Sequence, residues 1–175
     1  MTEAQLSNAM DAYGSTVYRL ALTRMQNIAD AEDVYQEVFL RLWKQAAEDW
    51  DGDRAKAWLI RTTLNRCADL HRFRLRRPVL SFAEIPDLAQ PEDESRELWE
   101  AVSRLPEKAR TAVHLYYAEG YSAEEISQLM HIPAATVRTR LHRARKQLKE
   151  LLGGLDDETC VSRSDGTNFG PQRAE

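Results

Sequence analysis

The chain has 175 residues, a formal net charge of −4 at pH 7 and two cysteines, Cys67 and Cys160. This length corresponds to one or two domains, and so few cysteines argue against a disulfide framework and suit a reducing cytoplasm. The sequence contains no run of about twenty apolar residues and no signal peptide, so we expect no membrane insertion. Helix-forming residues dominate and no alternating strand pattern appears, which predicts an all-α fold.

Three long helices are predicted in the first half of the chain. The first runs from about Leu6 to Gln26, the second follows Asp30 as its predicted N-cap, and the third runs from about Arg54 to Phe73. The apolar residues of the second helix cover most of two faces: Val34, Tyr35, Val38, Phe39, Leu42 and Trp43. Either all six belong to the core, or one face is offered to a partner.

Charge is segregated along this half of the chain. Residues 27–53 contain eight acidic and two basic side chains, whereas residues 54–77 contain eight basic and one acidic side chain. Such blocks suggest separate surfaces for separate partners. On the third helix Asn65, Asp69 and Arg72 share a face, which suits contact with base edges and phosphates, although a solvated polar face is the alternative.

The second half begins with residues 78–95, which contain three prolines and five acidic residues without a helical period. We predict a flexible acidic linker there. Helices are predicted from Arg96 to Leu105 and from Pro106 to a C-cap at Gly120. The tail, residues 153–175, has little apolar content and is expected to be disordered.

Residues 122–150 predict two helices separated by a short turn. Ser122 and Glu125 have the spacing of a capping box, and Pro133 marks the break and the start of the next helix. The second helix has an apolar stripe of Val137, Leu141, Ala144 and Leu148 and an opposite surface that is densely basic. This pattern predicts a helix-turn-helix whose second helix enters the major groove, and the alternative is a helical hairpin with a solvated basic face.

The sequence contains no pattern that is typical of a catalytic site. Cys67 and His71 are four residues apart on one predicted helix, but no second pair is placed to complete a metal site. No nucleophilic triad, phosphate-binding loop or pair of catalytic carboxylates stands out. We therefore expect no metal, no cofactor and no enzymatic activity.

Two blocks of the sequence resemble a known family. The segments ADAEDVYQEVFLRLWKQ and AWLIRTTLNRCADLHRFRLRR resemble the second domain of bacterial sigma factors, and LPEKARTAVHLYYAEGYSAEEISQLMHIPAATVRTRLHRAR resembles their fourth domain. With no domain between them, the chain resembles the extracytoplasmic-function group of the sigma-70 family. The resemblance implies sigma domain 2 in residues 1–77, a flexible linker in 78–95 and sigma domain 4 in 96–152.

The resemblance also implies a function. Such a chain is a transcription initiation factor that binds core RNA polymerase, directs it to specific promoter DNA, and is usually held inactive by an anti-sigma factor in the cytoplasm. Its polymerase-binding positions match Asp33, Gln36 and Glu37, with Val34 and Phe39 as apolar neighbours. Acids beside exposed apolar groups would provide steering and burial. Tyr35 departs from the small aliphatic residue usual at its position.

The promoter contacts follow from the same resemblance. Asn65, Asp69 and the loop from Trp50 to Lys56 match the positions that recognise and open the −10 element by capturing a flipped base. The basic residues Arg72, Arg74, Arg76 and Arg77 would bind backbone phosphates. The positions that match the family's −35 contacts lie on the second helix of the helix-turn-helix. They are Ala135, Thr136, Arg138, Thr139, His142 and Arg143.

Two other functions remain open at this point. One is a dimeric DNA-binding repressor or activator, although no dimerisation seam is evident and the acidic helix would have no purpose. The other is a sigma-like protein that binds polymerase but not promoters, against which the two basic faces argue. For a sigma factor we expect little DNA affinity from the free chain, because its domains would be loosely tethered.

Overall fold

The structure is a computed structural model that describes residues 2–45, 52–76 and 93–153. Within these ranges the chain forms helices and no strand, which confirms the all-α prediction. None of these helices is long and apolar enough to cross a membrane. The helices are α1 Glu3–Met25, α2 Ile28–Lys44, α3 Gly52–Arg76, α4 Asp93–Ser103, α5 Glu107–Val113, a π-helical turn at His114–Ala118, α6 Ala123–Met130 and α7 Ala134–Leu151.

Helices α1, α2 and α3 form the first domain. The predicted stripes meet in one apolar cluster that includes Val17, Ala21, Val34, Val38, Phe39, Leu42, Leu59 and Cys67. Tyr35 fits beside this cluster because α1 has a glycine opposite it. A Cβ at Gly14 would lie 3.0 Å from the Tyr35 hydroxyl oxygen. The larger residue at position 35 is therefore accommodated by the absence of a side chain at position 14.

The predicted N-cap of α2 at Asp30 is wrong. The cap is Asn27, whose side-chain oxygen accepts a hydrogen bond of 3.0 Å from the Asp30 amide. Gln26, the C-cap of α1, has a left-handed backbone conformation (φ 51°). The chain turns there, so the next helix begins without a connecting loop. Asp30 instead lies inside the domain and pairs with Arg74 of α3. Burial raises the pKa of Asp30, and the Arg74 guanidinium opposes that shift.

Helices α4 to α7 form the second domain, and the capping box and turn of the helix-turn-helix are present. The Glu125 amide donates to Ser122 Oγ at 3.3 Å, and Glu125 Oε2 accepts from the Ser122 amide at 2.8 Å. Pro133 is the N-cap of α7 rather than its first residue. Of the predicted linker, residues 78–92 lie outside the described residues, whereas 93–95 begin α4. The predicted tail lies outside them after Gly153.

The two domains pack against each other. Leu20, Ile60 and Leu64 of the first domain belong to the same apolar cluster as Leu105, Ile126 and others of the second domain. Helix α1 contacts α5, and α3 contacts α6. Apolar residues of α1 and α3 that a separate first domain would leave exposed are thus covered by the second domain.

Candidate protein and nucleic-acid interfaces

The outer face of α2 presents the predicted acidic group. Asp33 and Gln36 are exposed, and Glu37 is partly buried. Glu37 lies between two arginines, with its Oε1 2.8 Å from Arg41 Nη2 and its Oε2 2.5 Å from Arg66 Nε. Asp33 forms no ion pair among the described residues. Asp33 is thus the more available of the two carboxylates for a basic partner.

The apolar part of this face differs from the one expected by resemblance. Val34 and Phe39 are 0% and 4% exposed, so they pack in the core beneath the acidic face. Leu40 and Trp43 are 57% and 41% exposed and lie three residues apart on α2. Because Leu40 and Trp43 are three residues apart, they share a helix face that lies outside the buried stripe of Val34, Val38 and Leu42. This spacing is the signal that could have identified them from the sequence.

Helix α3 presents the predicted polar face. Asn65, Asp69 and Arg72 are exposed, and Arg72 Nη2 lies 2.9 Å from Asp69 Oδ1. Arg74 is engaged by Asp30 inside the domain. Arg76 is the last residue of α3, and Arg77 lies outside the described residues. Trp50 and Asp51 of the predicted −10 loop also lie outside them, whereas 52–56 form the first turn of α3.

Cys67 lies on the buried side of α3. Burial raises the pKa of its thiol to about 12. The thiol therefore stays protonated at neutral pH, and a protonated thiol is neither a strong nucleophile nor a metal ligand. This position makes Cys67 a packing residue.

Helix α7 presents the predicted recognition residues on one surface. Ala135, Arg138, Thr139, His142 and Arg143 are exposed, Thr136 is half-buried, and the buried Val137, Leu141 and Ala144 lie on the opposite side. Arg138 forms an ion pair with Glu124 of α6. The arginines and the histidine therefore project away from the domain core, as a helix that enters a groove of DNA requires.

His114 is buried where the two domains meet, and the sequence did not identify it. Its Nδ1 lies 3.3 Å from Thr23 Oγ1 of α1, and its Nε2 lies 3.8 Å from Glu119 Oε1. Burial lowers the pKa of His114 below its ordinary value of 6.5, Glu119 opposes this shift, and Arg19 adds to it. The neutral imidazole is therefore the form that is favoured where the two domains pack against each other.

Acidification should destabilise the protein through His114. Below about pH 6.5 the unfolded chain binds a proton at this site that the folded protein does not, so the free energy of unfolding should fall as the pH decreases. Thermal unfolding at pH values between about 7.5 and 5.5 measures the effect. His114→Gln should weaken this pH dependence, whereas His142→Gln, at an exposed histidine, should leave it unchanged. Identical pH dependence in the parent and His114→Gln would contradict the assignment.

Two protein-family models match this chain, one over each of its two domains. The model of sigma-70 region 2 matches residues 9–77, and the model of sigma-70 region 4 matches residues 95–148. The first match contains the acidic and basic faces of α2 and α3, and the second contains the helix-turn-helix.

Curated relatives align along most of this chain. The ECF RNA polymerase sigma factor SigE of Mycolicibacterium smegmatis is 34% identical over 86% of this chain, which spans 62% of SigE. The RNA polymerase sigma factor CarQ of Myxococcus xanthus is 36% identical over 79% of this chain and 84% of CarQ. The ECF sigma factor SigW of Bacillus subtilis is 29% identical over 85% of this chain and 89% of SigW.

Solved structures show the same fold. The sigma factor RpoE of Bartonella quintana, in complex with the anti-sigma factor NepR, superposes with a TM-score of 0.72 at 24% identity and covers 85% of this chain and 97% of its own. CnrH, in complex with the cytosolic domain of CnrY, superposes with a TM-score of 0.62 at 25% identity and covers 89% and 92%. Because both family regions match in order and relatives above 30% identity span most of its length, this chain belongs to the extracytoplasmic-function sigma factors of the sigma-70 family.

Proposed function

We propose that this transcription initiation factor binds core RNA polymerase through the outer face of α2 and contacts promoter DNA through α3 and α7. The observation that supports the proposal is the separation of charge on folded surfaces. Exposed acids and apolar side chains share α2, whereas exposed arginines and polar side chains lie on α3 and α7. One chain thus has a surface suited to a protein and two surfaces suited to DNA.

The proposed polymerase surface consists of Asp33, Gln36, Glu37, Leu40 and Trp43. The carboxylates would steer a basic partner, and the exposed Trp43 and Leu40 would supply the apolar area that binding buries. Val34 and Phe39 contribute from beneath, because their packing fixes the position of α2 rather than touching the partner.

The proposed −10 surface consists of Asn65, Asp69 and Arg72 on α3, together with the segment that precedes this helix. Polar side chains at this face would hold a base extruded from the duplex, so that promoter opening is driven by binding energy and needs no hydrolysis. Arg74 is less available for phosphate than the sequence suggested, because Asp30 already binds it. We assign the phosphate contacts to Arg72, Arg76 and Arg77.

The proposed −35 surface consists of Arg138, Thr139, His142 and Arg143 on α7, with Ala135 and Thr136 near its start. An arginine that contacts guanine through two hydrogen bonds provides about 1–3 kcal/mol of discrimination against another base. Arg138 forms an ion pair with Glu124 of the neighbouring helix, and both side chains are exposed. A contact of Arg138 with DNA would replace this weak, solvent-screened pair.

Regulation and location are part of the proposal. Among the similar structures, RpoE was solved with the anti-sigma factor NepR and CnrH with the cytosolic domain of CnrY. We infer that this chain acts in the cytoplasm beside polymerase and is likewise held inactive by an anti-sigma factor.

Run-off transcription tests the proposed function. Purified full-length chain is added to bacterial core polymerase and a library of promoter fragments, and the expected result is transcripts from a subset that shares −10 and −35 sequences. A stable complex with core polymerase that produces no specific transcript would instead support an interaction protein. Tight sequence-specific DNA binding without any polymerase complex would support a free-standing DNA-binding regulator.

A further inference from the structure

A groove between α1 and α2 opens beside the acidic face of α2. Its volume is about 470 Å³, and it is open to solvent. The residues that line it are Gly14, Ser15 and Tyr18 of α1 and Glu32, Tyr35 and Gln36 of α2. Binding sites are typically concave, with aromatic walls and a small number of polar groups that fix the orientation of what they bind. The groove has this composition.

Two tyrosine rings form the walls of the groove. The ring centres of Tyr18 and Tyr35 lie 6.3 Å apart, and the ring planes are nearly perpendicular, at 79°. Tyr35 also packs against Phe39, with ring centres 4.8 Å apart, and Phe39 is buried in the core. Both tyrosines are half-buried, so part of each side chain faces the groove. Because edge-to-face packing fixes the rings, the walls are formed before any partner binds.

Gly14 makes room for the Tyr35 wall. It lies in the middle of α1, where a glycine destabilises a helix relative to alanine. A Cβ at this position would lie 3.0 Å from the Tyr35 hydroxyl oxygen, which is closer than most Cβ contacts. The observed position of Tyr35 therefore depends on the missing side chain. Tyr35, which departs from the small aliphatic residue usual at its position, thus contributes to a surface feature as well as to the core.

The rim of the groove is polar and acidic. Glu32 and Gln36 are exposed one helical turn apart on α2, and Ser15 is exposed on the α1 side. Among the described residues, no basic side chain lines the groove. Aromatic rings beside a carboxylate suit an arginine, because its planar guanidinium stacks on a ring and donates two hydrogen bonds to the carboxylate while its aliphatic part covers apolar surface.

The groove continues the proposed polymerase surface. Gln36 belongs to both, and Glu32 immediately precedes Asp33 on α2. Two rows of residues one turn apart therefore lie side by side, Glu32 with Gln36 and Asp33 with Glu37. A basic partner that reaches Asp33 would bring its neighbouring side chains within reach of Glu32.

We propose that this groove is a socket for an arginine side chain of core RNA polymerase, and that it extends the polymerase surface from α2 onto α1. The socket rests on the proposed function, because it assigns the groove to the partner of the α2 face. The arginine lies against the Tyr18 and Tyr35 rings, and its guanidinium donates hydrogen bonds to the Glu32 carboxylate at the rim. An arginine seated in a formed pocket is a common centre of binding energy in protein interfaces.

Titration of fluorescently labelled full-length factor with core polymerase tests the socket. Tyr18→Leu removes an aromatic face but keeps an apolar side chain, and it should weaken binding by about fivefold or more. Tyr18→Phe keeps that face and should bind like the parent. Glu32→Gln should weaken binding by about threefold at low salt and by less at moderate salt, because exposed charges are screened. Glu97→Gln, which neutralises an exposed acid on α4, should leave the affinity unchanged.

Gly14 and Tyr35 supply a matched pair of variants. Gly14→Ala favours the helical conformation of α1 but displaces the Tyr35 ring, so it should weaken polymerase binding. Adding Tyr35→Phe to Gly14→Ala removes the oxygen that the new methyl group meets, so the double variant should regain the affinity of the parent. Thermal unfolding followed by circular dichroism checks that each variant is folded.

Photo-cross-linking identifies what occupies the groove. With p-benzoylphenylalanine in place of Ser15 at the exposed rim, the factor should cross-link to core polymerase within a peptide that contains an arginine. A cross-link between two copies of the factor, with none to polymerase, would overturn the choice of partner.

The outcomes separate the socket from the proposed function. If Tyr18→Leu, Glu32→Gln and Gly14→Ala bind polymerase like the parent while reversal of Asp33 and Glu37 weakens binding, the socket is wrong and the α2 face stands. If that reversal also leaves the affinity unchanged, the proposed polymerase surface is wrong and the socket falls with it. A loss in Tyr18→Phe equal to that in Tyr18→Leu would contradict stacking of a guanidinium on the ring.

Discussion

Replacing both Asp33 and Glu37 with arginine should weaken binding to core RNA polymerase by about 100-fold, with about tenfold from Asp33→Arg alone. Asp33 is exposed and forms no ion pair among the described residues, so its reversal acts mainly through the charge offered to the partner. Glu37 already neutralises Arg41 and Arg66. An arginine at position 37 would add a third cation to that group and repel a basic partner more strongly.

The control for this effect is Glu97→Arg, which reverses an exposed acid on α4 of the second domain, outside the proposed surface. Affinity for core polymerase is measured by titration of fluorescently labelled factor, at low and at moderate salt. Because exposed charges are screened, the difference between parent and double variant should shrink as salt increases. An affinity that is unchanged in the double variant would remove α2 from the polymerase interface.

The helices and the helix-turn-helix could be predicted because their signals are local. Ser122 and Glu125 are three residues apart and bind each other, and the stripe of α7 is buried along one side of a single helix. The N-cap of α2 was predicted wrongly because two residues near its start have side chains of similar chemistry. Asn27 and Asp30 both suit an N-cap, and only the left-handed turn at Gln26 decides between them.

The contacts between the domains could not be predicted because they join residues far apart in sequence. In the sequence, nothing distinguishes Arg110 from the other basic residues of the predicted helices. Its partners in α1 lie 86 and 87 positions away along the chain. The choice between Phe39 and Trp43 has the same origin. Both are apolar residues of a wide stripe, and only the placement of α1 and α3 shows that Phe39 is covered and Trp43 is not.

Arg143→Ala should lower transcription from the cognate promoter by about tenfold while binding to core polymerase is unchanged. The exposed Arg143 lies on the surface of α7 opposite the buried stripe, where a recognition helix contacts base edges. Loss of a base contact by an arginine costs about 1–3 kcal/mol, and tenfold corresponds to about 1.4 kcal/mol. The measurement is run-off transcription with promoters that differ at single −35 positions, combined with a polymerase-binding titration.

Arg145→Ala is the matched control, because it removes the same charge from an exposed position further along α7. Losing a phosphate contact should weaken binding to all promoter sequences to a similar extent and flatten the salt dependence. Losing a base contact should instead reduce the preference for one base at one position. If Arg143→Ala lowers transcription equally from every promoter variant, Arg143 binds phosphate and the discrimination belongs to other residues of α7. If it lowers polymerase binding by the same factor, the helix-turn-helix is part of the polymerase interface and the division of labour between the two domains is wrong.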